Sequence, residues 1–237
     1  MKRAIAFVVG LVAAAAIVWL LGNHAFSGAR VERPPDARRT FPDHEENASA
    51  ARVLASVTRF DEKDLRQQRE AEIEYIRTRI ASELPAAPPE SLARFFERNR
   101  AAISMLRAQL ASDAPPQWKQ HADDLLETPQ PDLIVMNRLL LMFAAHALAE
   151  RDATTAWADA GAMWVLARSL WVRPEIPSVL TALGGSRQIA AVATKLPAPA
   201  PRWWNDFTTF DVRAALARAL EYEAWATNTR AERYPVG

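Results

Sequence analysis

Several groups of side chains in this sequence have types that could do chemistry, and each carries a structural reading beside the functional one. His146 is the only polar side chain between Leu139 and Leu148. It could serve as a ligand or a general base. Yet Glu150 lies one helical turn away, and Asp159 would face it if the two segments form a hairpin, so a buried histidine satisfied by a carboxylate is the reading adopted. His121, with Asp123 and Asp124, has donors a metal would accept, but it falls in a proline-flanked connection without further ligands at a defined spacing, and no metal is assigned. Gly184-Gly185-Ser186-Arg187 lacks the glycine spacing of a nucleophile elbow or a phosphate loop. Glu70, Glu72 and Glu74, like Glu221 and Glu223, alternate along helices without sharing a face and read as solvated charge. No serine, histidine and acid can be assembled into a triad, so no catalytic or cofactor-binding residue is assigned and no enzyme is expected.

The remaining candidate is aromatic. Trp157, Trp164 and Trp171 recur every seven residues, which falls ~20° short of two full turns and keeps them on one stripe of a helix. Such a stripe is either core or a groove for a peptide, lipid or glycan chain, and core packing is the default. Gly161 between the first two would let another segment approach closely, and Arg168 lies one turn from both Trp164 and Trp171, within reach of an indole face. Trp157, Gly161, Trp164, Arg168 and Trp171 are therefore the candidate partner or ligand surface. Asp159 and Arg168 are ionisable groups in an otherwise apolar helix, and an ion pair with a neighbouring helix is expected for them.

These residues need a scaffold, and the sequence predicts a helical one. The stretch Leu133 to Lys195 organises it: an apolar helix, a tight turn at Glu150-Arg151-Asp152, and a second helix from Ala153 to Val172 whose clearly polar positions are Thr154, Thr155, Asp159, Arg168 and Ser169. Segments this apolar are stable in water only when other helices surround them, and a turn this short makes the pair antiparallel. More polar helices should wrap the pair. Val53, Val57 and Phe60 mark one; Ile73, Ile76, Ile80 and Leu84 a second; Leu92, Phe95, Phe96, Ile103, Leu106 and Leu110 a third. A short helix around Trp118 to Leu126 is one option between Pro115 and Pro131. Pro177 to Lys195 should be helical, with Gly184-Gly185 marking a kink, a turn or a close helix contact. Leu196 to Pro201 should run extended, fastened to the body by Trp203, Trp204 and Phe207, and a last helix, about Thr209 to Ala226, should offer Val212, Leu216 and Leu220 to the core. All 16 prolines fall between these helices or in their first turns.

Composition narrows the function classes. The 237 residues carry 29 basic and 28 acidic side chains, which removes the basic footprint of a nucleic-acid binder. There is no cysteine, so disulfides, zinc-thiolate sites and lipid attachment through a lipobox are excluded, and only 7 glycines argue against an all-β fold. Lys2 and Arg3 precede an uncharged run from Ala4 to Leu21, which as a helix reaches ~27 Å, about the thickness of a hydrocarbon core. With Trp19 as an interfacial anchor, residues 1–26 are expected to be a single-pass transmembrane helix with a cytoplasmic N-terminus. The alternative is a signal peptide cleaved near Ala25-Phe26-Ser27 or Ser27-Gly28-Ala29. Residues 27–48 read as a disordered linker with a span on the order of 25 Å, and residues 49–230 as one all-α domain, either an antiparallel bundle or a short α-solenoid.

The hairpin from Leu140 to Leu170 resembles a tetratricopeptide-like helical pair. Leu140, Phe143 and Ala144 supply the large residue and the large-small pair of the first helix, and Ala156 the small residue of the second. Ala147, Ala160, Met163 and Arg168 depart from the pattern, and no second copy follows at a period near ~34 residues. The resemblance implies a binding scaffold rather than a catalyst. The combined expectation is an exported, single-pass helical interaction module on the periplasmic side of a bacterial inner membrane. Its partners would be the membrane, through the N-terminal helix, and another envelope protein; nucleic acid and metal are not expected. The alternative is a hydrophobic small-ligand or lipid binder using the Trp-lined helix.

Overall fold

A computed structural model describes residues 42–60, 62–83, 86–112, 114–120 and 131–233. Within them the chain is helical: α1 (Ala48–Val57), α2 (Glu62–Ala81), α3 (Glu90–Ser112), α4 (Pro131–Ala149), α5 (Ala153–Trp171), α6 (Ile176–Ala193), α7 (Trp203–Thr208) and α8 (Val212–Arg233). No strand forms among the described residues beyond an isolated bridge between His44 and Gln120. None of the described helices is long and apolar enough to cross a membrane. The expected anchor, most of the linker, the His121 group and the residues after Arg233 lie outside the described residues.

The α4–α5 hairpin is the centre, as its polarity requires. Every residue from Leu139 to Ala145 is buried. Helix α4 is covered by α2, α5 and α6, and α5 by α3, α4, α6 and α7. Pro131 opens α4 at its first position, where a missing N–H costs nothing. The turn closes on local hydrogen bonds: the Glu150 carboxylate accepts the N–H groups of Arg151 (2.8 Å) and Asp152 (3.2 Å). Asp152 then caps α5, accepting the Thr155 N–H at 2.9 Å and its hydroxyl at 2.7 Å, and these bonds hold its carboxyl below the usual carboxylate range. At the same end, the Tyr75 hydroxyl of α2 lies 3.1 Å from the Leu148 carbonyl, one of the four acceptors that the end of α4 leaves open.

Gly184 and Gly185 lie within an unbroken α6, and the close contact is the expectation realised. A β-carbon on Gly185 would sit 2.9 Å from Leu140 Cδ1, whereas one on Gly184 would meet nothing within 4 Å. The two alanine substitutions should therefore move stability in opposite directions. Gly184→Ala is expected to add about 0.5–1 kcal/mol by restricting the unfolded chain, and Gly185→Ala to remove about 1–3 kcal/mol by overpacking against a fully buried leucine. Urea unfolding midpoints of the two variants, at unchanged slope, provide the check.

Three sequence expectations need correction. Residues 42–47 do not end a disordered tether: His44 and Gln120 exchange backbone hydrogen bonds of 2.8 and 2.9 Å, and Asn47 both caps α1 and bonds the backbone of Pro115 and Gln117. The expected stripe of α2 holds at Ile76, which is buried, and Ile80, which is half-buried against the core, but not at Ile73. Ile73 is 42% exposed, and the buried face is Gln68, Glu72, Tyr75, Ile76 and Arg79. In α8, Leu220 is 60% exposed, and Ala215, Ala219, Tyr222 and Ala226 face inward instead. The helix also runs on past Ala226 to Arg233.

Candidate functional site

Asp159 lies in the middle of α5 and is completely buried. Its carboxylate accepts from Arg107 Nη1 of α3 at 2.8 Å and lies 2.6 Å from His146 Nδ1 of α4. A carboxylate can be buried only when its charge is answered, and here two neighbouring helices answer it. His146 also meets the ring of Phe96 edge-on at 5.0 Å. The satisfied histidine and the interhelical ion pair expected for Asp159 are thus present together, and the group ties three helices; no such pair is seen for Arg168 among the described residues. No nucleophile is hydrogen-bonded to His146, and no group of three or more potential metal ligands exists among the described residues.

The tryptophan stripe is core along most of its length. Trp157, Trp164 and Trp171 are all buried, and the chain itself covers them. After α6 the segment from Leu196 crosses to α7 and runs beside α5. Trp157 meets Trp203 and Trp204, each at 5.9 Å; Trp164 meets Phe207 at 5.2 Å and Phe210 at 5.5 Å; Trp171 meets Phe210 at 5.5 Å. Edge-to-face geometry predominates, the arrangement the ring quadrupoles favour. The polar ends are also used: Trp157 Nε1 donates to the Pro197 carbonyl at 2.7 Å and Trp171 Nε1 to Ser186 Oγ at 3.1 Å. Gly161 does admit a close neighbour, and that neighbour is Trp203, whose Nε1 would be 3.0 Å from a β-carbon there. Arg168 is exposed.

Coverage is incomplete at one end. Between the end of α3, the first half of α5 and the 197–203 segment lies a half-open groove of about 650 Å³, lined mainly by apolar groups that include Leu110, Trp157, Gly161, Trp164, Pro199 and Trp203. Three of the five candidate residues border it; Arg168 and Trp171 do not. The structure therefore separates a surface that the seven-residue spacing had joined.

A second feature was not read from the sequence. Glu72 is 1% exposed, so it is not solvated charge. Burial pushes its carboxyl up to about 7, against the opposing pull of the Arg138 charge. Burial in turn lowers the pKa of Arg138. The two are not hydrogen-bonded: Glu72 Oε1, Gln68 Oε1 and both terminal nitrogens of Arg138 are hidden from solvent without a hydrogen-bond partner among the described residues. Gln68, Glu72, Tyr75 and Arg79 recur at helical spacing opposite an arginine in an otherwise apolar helix, and that combination was the available signal. Glu223 is likewise not merely solvated, since its carboxylate accepts the Ile176 N–H at 3.2 Å where α6 begins. No protein-family model matches the chain, and no significant similarity to a curated protein or a solved structure is found.

Proposed function

We propose that this chain is a non-catalytic helical interaction module, held at a bacterial inner membrane by Ala4–Leu21 with its folded part outside the cytoplasm. In this reading an apolar segment of another envelope protein docks in the groove beside α5. The half-open groove of about 650 Å³ at the uncovered edge of the tryptophan stripe carries the reading. Its walls combine rigid indoles and prolines, which offer large contact areas while losing little side-chain freedom on binding. The resemblance of α4–α5 to a tetratricopeptide-like pair points the same way. The dimensions of the groove also favour a second reading, a hydrophobic small molecule or lipid tail, because its volume falls within the usual ~300–1,000 Å³ of small-ligand sites.

Ala158 lines the groove and is exposed, whereas Ala101 is exposed on the outer helix α3. A photo-crosslinker at Ala158 in living cells is expected to capture a defined exported polypeptide that Ala101 does not capture, with Val165→Asp, which puts a charge in the groove, reducing the yield several-fold. Equal capture from both positions would sink the proposal. Capture of lipid rather than polypeptide at Ala158 would select the second reading.

A further inference from the structure

Helix α2 is held to the body unevenly along its length. Its C-terminal half is anchored from two sides: the Tyr75 hydroxyl lies 3.1 Å from the carbonyls of both Ala86 and Leu148, and Lys195, just past α6, donates to the Ser82 carbonyl at 3.1 Å where α2 ends. One turn earlier the contact changes character. Gln68 and Glu72 are buried, yet Gln68 Oε1, Glu72 Oε1 and the Nη1 and Nη2 atoms of Arg138 on α4 have no hydrogen-bond partner among the described residues. Hiding such atoms unmet costs free energy that water returns when the contact opens. Open space also lies beside this half of α2, because Arg69 borders a cleft of about 1400 Å³ bounded by α1, α2, α4 and α6. The helix has room to shift there.

We infer that the first half of α2 is built to undock from α4, pivoting on the end fixed at Tyr75 and Ser82, and that the charge on Glu72 sets how often it opens. Neutral, Glu72 is tolerated inside; ionised, it is a buried charge without a bonded partner, and water solvates it better than the interface does. Few charged groups surround it. Arg138 acts from α4, Arg69 and Arg79 share α2 with it, and α3, packed on the same helix, places no charge that acts on it among the described residues. Burial outweighs the attraction of Arg138 and holds the carboxyl at about 7, so the opening responds to pH near neutrality. Once released, this segment is a short helix without tertiary support, which is marginal in water, and its backbone hydrogen bonds loosen with it. Opening brings the Arg138 guanidinium to solvent at the edge of the cleft, while α4, α5 and α6 stay packed.

Hydrogen exchange of the full chain in nanodiscs of neutral phosphatidylcholine, followed by peptide mass spectrometry from pH 6 to pH 8, provides the test. After correction for the chemical exchange rate, the opening constant of amides 68–74 is expected to rise about tenfold over that range, because the carboxyl titrates at about 7 in the docked helix and at 4.5 in the open one. Amides 76–82 and those of α5 should change less than about twofold, since their contacts persist through the local opening. Glu72→Gln should remove the rise, and Glu72→Met, neutral and of similar volume, should do the same; native protection of α5 in each variant shows that it folds. A flat opening constant for 68–74, a parallel rise in α5, or a rise that survives both substitutions would overturn the inference. Greater protection of 68–74 at pH 8 than at pH 6 would overturn it as well, since it would place ionised Glu72 in a bond with Arg138 inside the docked helix.

Discussion

Asp159→Ala is expected to lower the stability of the domain by about 3–5 kcal/mol, the usual penalty for removing one member of a buried ion pair. The carboxylate is fully buried, and its two oxygens engage Arg107 at 2.8 Å and His146 at 2.6 Å, so alanine orphans both partners at once. The Arg107 side chain is only 18% exposed and cannot recover its lost bond from water without leaving the α3–α5 interface. Most of the loss is thus the cost of a stranded charge, not the intrinsic strength of the pair. That distinction is measurable. An Asp159→Leu/Arg107→Met double variant removes both charges and refills the volume, and should recover most of the loss, finishing within about 2 kcal/mol of the native chain. Urea unfolding at constant slope supplies the numbers. A loss below about 1 kcal/mol for Asp159→Ala would reduce the group to the level of an exposed surface pair.

The same group shows why some of this structure was legible beforehand. Leu139 to Leu148 is too apolar to face water, so its enclosure follows from composition, and a short turn forces its neighbour to run antiparallel. Once those two helices are paired, His146 and Asp159 must meet. Local chemistry likewise placed Pro131, the Asp152 turn and the aromatic fastening at Trp203, Trp204 and Phe207. Legibility failed where helix faces were assigned by hydrophobicity alone. Ile73 and Leu220 fit apolar stripes and are exposed, because the inward faces of α2 and α8 are centred away from them while Ile76, Ile80, Val212 and Leu216 still meet the core. In α8 that face is largely small: alanines at 215, 219 and 226 let the helix approach closely, and a search for large apolar residues passes over them. In α2 it mixes Tyr75 and Ile76 with Gln68, Glu72 and Arg79, so tertiary placement overrode the pattern. The seven-residue tryptophan spacing also fixes a stripe without saying which part the chain later covers. Coverage depends on the path of the 197–210 segment, which is set by long-range aromatic contacts and not by local propensity.

The polar face of α2 leads to the second large effect. Glu72→Gln is expected to stabilise the domain by up to about 3 kcal/mol at pH 8 and to leave it nearly unchanged at pH 4. The sign follows from proton linkage. Burial raises the folded-state pKa of Glu72 from 4.5 to about 7. Between those values the folded chain holds a proton that the unfolded chain has released, so stability falls as pH rises through this window and levels off above about 7. Each unit of displacement corresponds to about 1.4 kcal/mol, and the displacement here gives roughly 3 kcal/mol as its full extent. Glutamine is neutral at every pH and nearly isosteric with the protonated acid, so the variant lacks this downward slope. Arg138 opposes the displacement by favouring the charged carboxylate, and an Arg138→Met substitution should therefore move the window upward in pH. Unfolding midpoints of native and Glu72→Gln chains, taken from pH 4 to 8.5, isolate the contribution as a difference, since other titrating groups are common to both. If the native chain were instead the more stable of the two at pH 8, Glu72 would be a carboxylate bonded to Arg138 in solution. The uncompensated burial that sets the direction of this prediction would then be absent.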